Sequence, residues 1–338
     1  MTAFRLASGG LVDRAKPLSF TFDGKPYRGF DGDSVASALL ASDTLLVGRS
    51  FKYHRPRGVV TAGSAEPNAL LTIGEGGRSE PNARATMTEL YEGLVATSQN
   101  RWPSLEHDIG GLNSLLSPFL SAGFYYKTFM FPDWHLFEPG IREMAGLGTV
   151  DRSWNKAGLA AQINKHCDVL VIGAGPAGLT AALDAAQSGK SVILADEKSQ
   201  PGGALLHRDF GAMIDGMDTH GWIAATLGAL EGLGIRILSR TTAFGIYDHN
   251  MVGLNQRHGD GRPDSLWRIR PGEIVLATGA IERPLPFANN DLPGIMSADA
   301  ALVYLRRYGV VAGRQIVIAS NNSSTAEVAF ALAEAGAS

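Results

Sequence analysis

The pattern of hydrophobic and polar positions differs between the first part of the chain and the part after residue 166. Near the start, the runs LSFTF (18–22) and YRGF (27–30) flank the turn sequence DGKP, a pattern typical of a β-hairpin. DGDSVASALLAS follows, with Asp33 or Ser34 as the cap of a helix that has one apolar face. Hairpin, helix and a glycine-containing loop, in this order, favour a β-grasp, ferredoxin-like domain over residues 1–105.

From residue 166 onward, strands and helices alternate. CDVLVIG, SVILADE and EIVLATGA are short apolar runs suited to strands buried on both faces. PAGLTAALDAAQSGK predicts an alanine-rich helix with an early proline and Gly189 at its end, and WIAATLGALEGLGIRILS predicts a helix that runs into a strand. This α/β alternation predicts a parallel sheet covered by helices, in a Rossmann-like domain over residues 163–338.

Residues 106–162 join the two regions. The part from 118 to 148 is dense in aromatic residues, glycine and proline. We interpret it as a connecting segment whose rings pack against neighbouring domains, rather than as a binding site.

The sequence Gly173-Ala-Gly175-Pro-Ala-Gly178 matches G-x-G-x-x-G between a predicted strand and a predicted helix. Gly173 makes the tight turn, Gly175 allows the backbone to approach a pyrophosphate, and Gly178 allows close packing of helix and strand. The pyrophosphate would lie on the N–H groups at the helix N-terminus. Asp196 or Glu197, after the next strand, would bind the adenosine ribose and repel a 2′-phosphate, which favours NAD or FAD over NADP.

Three further stretches return the chain to this turn. Gln200-Pro201-Gly202-Gly203 would allow close backbone approach, Thr242-Ala243-Phe244-Gly245 follows the strand IRILS, and Ala277-Thr278-Gly279-Ala280 ends a strand. A strand ending in Ala-Thr-Gly after such a fingerprint resembles the two-dinucleotide-binding, glutathione-reductase-like flavoproteins. Their fold places a second nucleotide unit inside the first.

The second nucleotide unit should start near residue 314, with a strand in RQIVIAS and then a helix. Its turn reads SNNSST, so side chains occupy the usual glycine positions and should hinder a second pyrophosphate. The return strands of both units are missing from the sequence, from which we expect a fragment of a longer protein.

The loop at 49–71 reads RSFKYHRPRGVVTAGSAEPNALL. It follows the hairpin and helix at the place where a ferredoxin-like domain has its 2Fe–2S loop, but it contains no cysteine. The plant-type spacing C-x4-C-x2-C falls, give or take a residue, on Thr61, Glu66 and Ala69, and Cys167 is the single cysteine. We therefore expect no cluster. We expect the basic residues of this loop to form solvated or interdomain salt bridges rather than to bind an anionic cofactor: Arg49, Lys52, His54, Arg55 and Arg57.

Composition limits the remaining functions. A net charge of −3 gives no electrostatic case for nucleic acid. The sequence shows no secretory signal and no run of ~20 apolar residues, and one cysteine suits a reducing compartment, so we expect a cytoplasmic protein. We predict no metal site and no catalytic residue, because the histidines lack ligand spacing and no nucleophile or acid–base pair stands out.

Four signatures occur in one order: RSFKYHRPRG, AGFYYKTFMFPDWHLFEPGIREMAGLG, the fingerprint at 173–178, and ATGAIERPLPFANNDLPGIM. Together they resemble the α subunits of heterotetrameric sarcosine oxidases, over essentially all 338 residues. In that family, a ferredoxin-like domain without a cluster precedes a dinucleotide domain and a folate-binding domain. Only the first third of such a chain is present here.

The resemblance implies a subunit of an enzyme that demethylates sarcosine with oxygen to glycine and H2O2, passing the one-carbon unit to tetrahydrofolate as 5,10-methylene-tetrahydrofolate. It implies β, γ and δ subunits as partners, an FMN shared with the β subunit, and NAD that does not turn over in the α subunit. By position, it implies NAD contacts from Gly173, Gly175, Ala177, Gly178, Asp196, Glu197, Lys198, Ala204 and Ala243. The glycine-rich and strand-end stretches add Gly203, Thr278 and Gly279 as candidate contacts.

Two alternatives stay open. One is an FAD-binding subunit of the opine oxidase or hydrogen cyanide synthase type. The other is an inactive truncated scaffold without a cofactor. In each case we expect the isolated chain to oxidise no sarcosine.

Overall fold

The computed structural model of the chain describes residues 4–118, 123, 129–144, 146, 148–149, 151, 153, 160–208, 213–259 and 263–338. Much of the predicted aromatic connecting segment lies outside the described residues. By their internal contacts, the residues form two compact units: Met1–Asn155 with Glu282–Ser338, and Lys156–Ile281.

The first unit contains a five-stranded sheet in the order β2-β1-β7-β5-β6 and a separate two-stranded ladder, β3-β4. The predicted hairpin is confirmed, with longer strands than the pattern indicated. Its turn is Asp23-Gly24, whose positive φ angles of 49° and 75° suit a two-residue hairpin turn. The strands are β1 (Asp13–Phe22), β2 (Lys25–Asp31), β3 (Gly48–Arg49), β4 (Pro56–Arg57), β5 (Leu70–Ile73), β6 (Glu80–Arg84) and β7 (Leu94–Ser98).

The predicted helix after the hairpin is α1 (Val35–Ala41), and all seven of its residues are buried. Ser34 is the N-cap: its side chain accepts from the Ser37 N–H, while the Ser37 hydroxyl accepts from the Ser34 N–H. This capping box satisfies N–H groups that would otherwise be unpaired in the core. The other helices of the unit are α2 (Trp134–Met144), α5 (Ala298–Tyr308) and α6 (Ala326–Glu334).

A buried ion pair ties the start of the chain to the cap of α1. Arg5 donates to both carboxylate oxygens of Asp33, at 3.0 and 2.7 Å, and Asp33 is fully buried. The same carboxylate accepts from the Phe30 N–H and the Ser37 hydroxyl, while Arg5 also donates to the Tyr308 carbonyl. A buried charge with this many partners is costly to separate.

The second unit is a six-stranded sheet in the order β10-β9-β8-β13-β12-β11. The first four strands are parallel, as predicted, and the last two add an antiparallel edge. The strands are β8 (Ala161–Ile172), β9 (Val192–Ala195), β10 (Arg236–Leu238), β11 (Thr241–Tyr247), β12 (Met251–Gln256) and β13 (Ser265–Leu276), and the helices are α3 (Pro176–Gln187) and α4 (Thr219–Gly232).

The end of β8 explains why this sheet needs continuous apolar runs. Val169 and Val171 point into a core shared with α3 and α4, whereas Leu170 and Ile172 point into a second core on the opposite face. Both faces of this end of β8 are therefore buried. The predicted burial of EIVLATGA on both faces is wrong, because Ile274 and Val275 in β13 are only half-buried and Leu276 is 62% exposed. In the described part of the chain, no helix combines the length and apolar character that a bilayer crossing requires.

One predicted strand is absent from the described structure. The predicted strand in RQIVIAS joins no ladder within the described residues, and Val317 is 97% exposed, because no neighbouring strand lies beside it. The helix after it, α6, is confirmed. Thr242-Ala243-Phe244-Gly245 follows the predicted strand, β10, as expected, and itself lies inside β11. By contacts, residues 282–338 group with the first unit, and the predicted domain boundaries stay a prediction.

We expect the substitution Arg5→Ala to lower the free energy of unfolding by about 3–5 kcal/mol, because it leaves the Asp33 carboxylate buried without its cation. Urea denaturation followed by circular dichroism measures this change. Arg28→Ala is the matched control, since Arg28 is exposed on β2 and its loss should leave stability unchanged. Equal effects of the two substitutions would contradict the role of the pair.

Candidate dinucleotide site

The glycine turn lies between the end of β8 and the start of α3. Gly173 has φ of +103°, and a Cβ there would stand 2.2 Å from the Ala277 carbonyl oxygen. A Cβ on Gly178 would stand 1.8 Å from the Gly173 carbonyl oxygen. The backbones of the turn, the helix and the end of β13 are thus in direct contact. Only glycine fits at positions 173 and 178, because a Cβ at either position would overlap a carbonyl oxygen.

Gly175 differs from its two neighbours in the motif. It is the N-cap of α3 with extended backbone, and the closest heavy atom to a Cβ there would be 3.9 Å away. That atom is the Gly203 Cα, so the Gly203 backbone bounds the space beside Gly175, and no described side chain lies within 4 Å of the Cβ position. No described side chain caps the helix, and Pro176 at its start has no N–H. The next N–H groups, of Ala177 and Gly178, are at the positive end of the helix, where an anion is stabilised.

Asp196 directly follows β9, and its carboxylate braces the glycine turn. The Ala174 N–H donates to its Oδ2 at 2.6 Å, and the Lys198 N–H donates to its Oδ1 at 2.8 Å. Its backbone links three strands, because its N–H donates to the Leu238 carbonyl and its carbonyl accepts from the Thr241 N–H. Glu197, next in the chain, is half-buried beside it.

Gly203, another predicted cofactor contact, lies close to the glycine turn. The Gly202 N–H donates to the Ala174 carbonyl at 2.8 Å, and a Cβ on Gly203 would stand 2.7 Å from Gly175 Cα. Ala204 follows in a short 3-10 helix.

The last three predicted contacts lie near the ends of neighbouring strands. Ala243 lies in β11 and packs against the core that contains Ala195. Thr278 and Gly279 follow β13 and are exposed, and no described contact joins Gly279 to the turn.

These observations test whether the residues fit a dinucleotide. The turn has backbone donors at a helix N-terminus, a glycine with no described side chain within 4 Å of its Cβ position, and acidic residues at the end of the next strand. Each is a feature that a Rossmann-type site requires. The residues fit the cofactor.

The residues do not fit a 2Fe–2S cluster. Such a cluster needs four thiolates, or two thiolates and two histidines. The single cysteine, Cys167, lies in β8 of the second unit, and its burial raises the pKa of the thiol to about 11. Among the described residues, no group of three His, Cys, Asp or Glu is placed to hold a metal.

Part of the basic loop forms salt bridges, as predicted. Arg55 and Arg57 both pair with Asp291, with Arg55 Nε 2.8 Å from Oδ2. Hydrogen bonds from Arg55, and then from Arg57, hold the pKa of Asp291 well below its usual range. The three residues belong to one compact unit, so these bridges are internal to it.

Sequence reasoning missed a second buried pair in the same loop. His54 Nδ1 lies 2.6 Å from Asp108 Oδ2, and the carboxylate also accepts from the N–H groups of Trp102 and Gly110. The two residues are 54 positions apart, so spacing alone gave no signal. The pair fixes one loop against another, and a Cβ on Gly110 would touch the imidazole ring.

Comparison with known proteins agrees with this geometry. Residues 15–101 match the family described as 2Fe-2S iron-sulfur cluster binding domain, and residues 167–319 match pyridine nucleotide-disulphide oxidoreductase. The α subunit of sarcosine oxidase from Rhizobium meliloti (strain 1021) is 54% identical over 99% of this chain and 35% of its own length. One subunit of the opine oxidase from Agrobacterium tumefaciens (strain Ach5) is 32% identical over 47% of this chain and 33% of its own length.

A solved structure has the same fold. The crystal structure of L-proline dehydrogenase from P. horikoshii superposes with a TM-score of 0.68 at 22% identity, covering 99% of this chain and 54% of that one. At this identity the likeness shows the fold alone.

The glycine turn, the uncapped helix and the parallel sheet define a flavin/nicotinamide nucleotide-binding fold, joined to a domain of the iron–sulfur ferredoxin type. Over nearly its whole length, the chain is a relative of the sarcosine oxidase α subunits, which confirms the resemblance seen in its sequence. It spans about a third of the length of these curated relatives.

We expect Gly178→Ala to lower the free energy of unfolding by about 1–3 kcal/mol and to reduce retained nucleotide, because its Cβ would displace the Gly173 carbonyl. Urea denaturation and the ratio of absorbance at ~260 to ~280 nm measure the two effects. Gly228→Ala is the control: it lies inside α4 with nothing within 4 Å of the added Cβ, so stability should rise by about 0.5–1 kcal/mol. A destabilised control, or an unaffected Gly178→Ala, would contradict the packing argument.

Proposed function

We propose that this chain is the dinucleotide-binding part of the α subunit of a sarcosine oxidase, and that it holds NAD at the turn of residues 173–178. The observation that carries the proposal is the open helix N-terminus at Gly175, with acidic residues at the end of β9. Identity of 54% with a sarcosine oxidase α subunit over nearly the whole chain supports the assignment of subunit type.

The diphosphate is proposed to lie against Gly175, on the N–H groups of Ala177 and Gly178. Two features support this placement: no described side chain lies within 4 Å of the position of a Gly175 Cβ, and the helix start has no side-chain cap among the described residues. Hydrogen bonds from backbone N–H groups and the helix dipole both favour an anion there. Gly203 bounds the site from the other side, since its backbone lies against Gly175.

Asp196 and Glu197 are proposed to have different roles. Asp196 accepts from the N–H groups of Ala174 and Lys198, so its carboxylate holds the turn in shape. Glu197 is proposed to bind the ribose hydroxyls, because it lies directly after Asp196 at the end of the strand that follows the glycine turn, where a Rossmann-type site has its acidic residue. Both carboxylates disfavour a 2′-phosphate, which supports NAD over NADP.

FAD is the second candidate for the same turn. The similarity to one subunit of an opine oxidase, together with the match to the pyridine nucleotide-disulphide oxidoreductase family, supports a flavin as much as a nicotinamide nucleotide. When bound, either cofactor supplies electron or hydride transfer. The residues described above bind and orient its diphosphate and sugar, and none is assigned a proton-transfer step.

The complete enzyme is proposed to demethylate sarcosine oxidatively with oxygen and tetrahydrofolate, giving glycine, H2O2 and 5,10-methylene-tetrahydrofolate. Further subunits, of the β, γ and δ types, and an FMN shared with the β subunit belong to this proposal. Its support is the named relative, a subunit of an oxidase of sarcosine.

Nucleotide released from the purified complex by denaturation should be NAD. This site should contribute no flavin absorbance at ~450 nm. Glu197→Ala should weaken NAD retention about tenfold or more, because a hydrogen bond to a charged group contributes about 1.5–3 kcal/mol. Glu231→Ala is the control, since Glu231 is exposed near the end of α4. Chromatography and mass spectrometry of the released nucleotide decide the cofactor, and FAD stoichiometric with this chain would overturn the NAD assignment.

The isolated chain should form no H2O2 from sarcosine, because amine oxidation is proposed to need the other subunits. Co-expression with β, γ and δ subunits and the full-length α chain should restore peroxide formation in a coupled peroxidase assay. Peroxide formation by the 338-residue chain alone would contradict this division of labour.

A further inference from the structure

The loop between β4 and β5 belongs to a domain that matches an iron–sulfur family, yet it has no ligand for iron. In an iron–sulfur protein, a loop of this kind wraps around a charged inorganic group. Here its backbone must be satisfied in another way, because buried N–H groups without an acceptor are strongly disfavoured.

Glu66 provides the acceptor. Its Oε2 accepts from the N–H groups of Val60 and Thr61, at 2.9 and 2.7 Å, and from the Thr61 hydroxyl at 3.3 Å. Its Oε1 accepts from the N–H groups of Asn68 and Ala69, at 2.8 and 3.1 Å. The residue is only 2% exposed, so one buried carboxylate gathers five donors.

Two of the donor residues, together with Glu66, are the positions on which the cysteine spacing of a 2Fe–2S loop falls. The C-x4-C-x2-C pattern laid on this loop falls, give or take a residue, on Thr61, Glu66 and Ala69. The structure brings these three residues together: the side chain of the middle one bonds the backbone N–H groups of the other two. The carboxylate thus lies among the positions that the ligands of a cluster would occupy.

The loop is also attached to the segment before and within α5. Its Val60 and Thr61 carbonyls accept from the Ser297 N–H and the Tyr304 hydroxyl, at 2.8 and 2.9 Å. A Cβ on Gly58 would stand 2.8 Å from Pro293 Cα. The loop can keep these contacts only if residues 60–69 hold their shape.

We propose that residues 60–69 form an anion-binding nest whose resident ligand is the Glu66 carboxylate of the chain itself, in the role that a cluster has in other members of the matched family. Convergent backbone N–H groups are a recognised site for anions. Once the side chain is shortened, the nest should accept a small free carboxylate from solution. This inference does not depend on the proposed dinucleotide.

The test uses the full chain with the substitution Glu66→Ala and sodium formate as the probe. The variant should melt about 4 °C or more below the unsubstituted chain, because four N–H groups lose their acceptor. Formate should recover at least half of that loss with saturation, whereas sodium chloride at equal ionic strength should recover little. The unsubstituted chain should show no specific response, since its nest is full.

Two further variants make the result specific. Glu66→Gln should also lower the melting temperature, because its amide N–H2 faces donors, but formate should not correct it while the side chain fills the nest. Glu75→Ala, at an exposed position of the same unit, should neither destabilise the chain nor respond to formate. A formate response shared by all the variants would overturn the proposal.

If Glu66→Ala is recovered only as aggregate, refolding from urea in formate or in chloride gives the answer. A higher yield of soluble protein in formate supports the nest, and equal yields contradict it. Formation of a stoichiometric iron–sulfur cluster in the unsubstituted chain, on incubation with iron and sulfide, would also overturn the proposal.

Discussion

Backbone N–H groups in turns and at helix starts need acceptors, and this requirement shapes both regions of interest in the protein. In the glycine turn, the Ala174 N–H is paired with Asp196, while the start of α3 is left without a side-chain cap among the described residues. In the loop at 60–69, by contrast, Glu66 pairs four N–H groups at once. The first arrangement leaves room for an outside anion, and the second supplies an anion from the chain itself.

The glycine turn and the loop at 60–69 are held in shape by different contacts. The glycine turn is held by steric contact: Gly173 lies against the Ala277 carbonyl after β13, Gly178 lies against the Gly173 carbonyl, and neither position has room for a Cβ. Its shape therefore needs no ligand. The loop at 60–69 is held by the buried Glu66 side chain and by hydrogen bonds with Thr86, Ser297 and Tyr304.

Charges in the first unit are satisfied by long-range pairs. Arg5 with Asp33, His54 with Asp108, and the two arginines with Asp291 each join segments that are far apart in sequence. Removing one partner of a buried pair is costly, because the group that remains is left in the interior without compensation. These pairs give a ferredoxin-like domain without a cluster a set of internal cross-links in place of an iron–sulfur centre.

The sequence by itself determined the features that depend on neighbouring residues. The hairpin, α1 with its cap, the parallel strands, α3 and the glycine turn all follow local rules of periodicity, capping and steric freedom, and the structure has each of them. Only the tertiary structure decided the features that depend on partners remote in the chain. A strand needs a neighbour, so the apolar pattern of RQIVIAS formed no ladder, and Val317 stayed exposed. The hydrogen bonds of Asp196 to the Ala174 and Lys198 N–H groups, the pairing of His54 with Asp108, and the four N–H groups that Glu66 accepts from depend on which groups folding brings within hydrogen-bond distance.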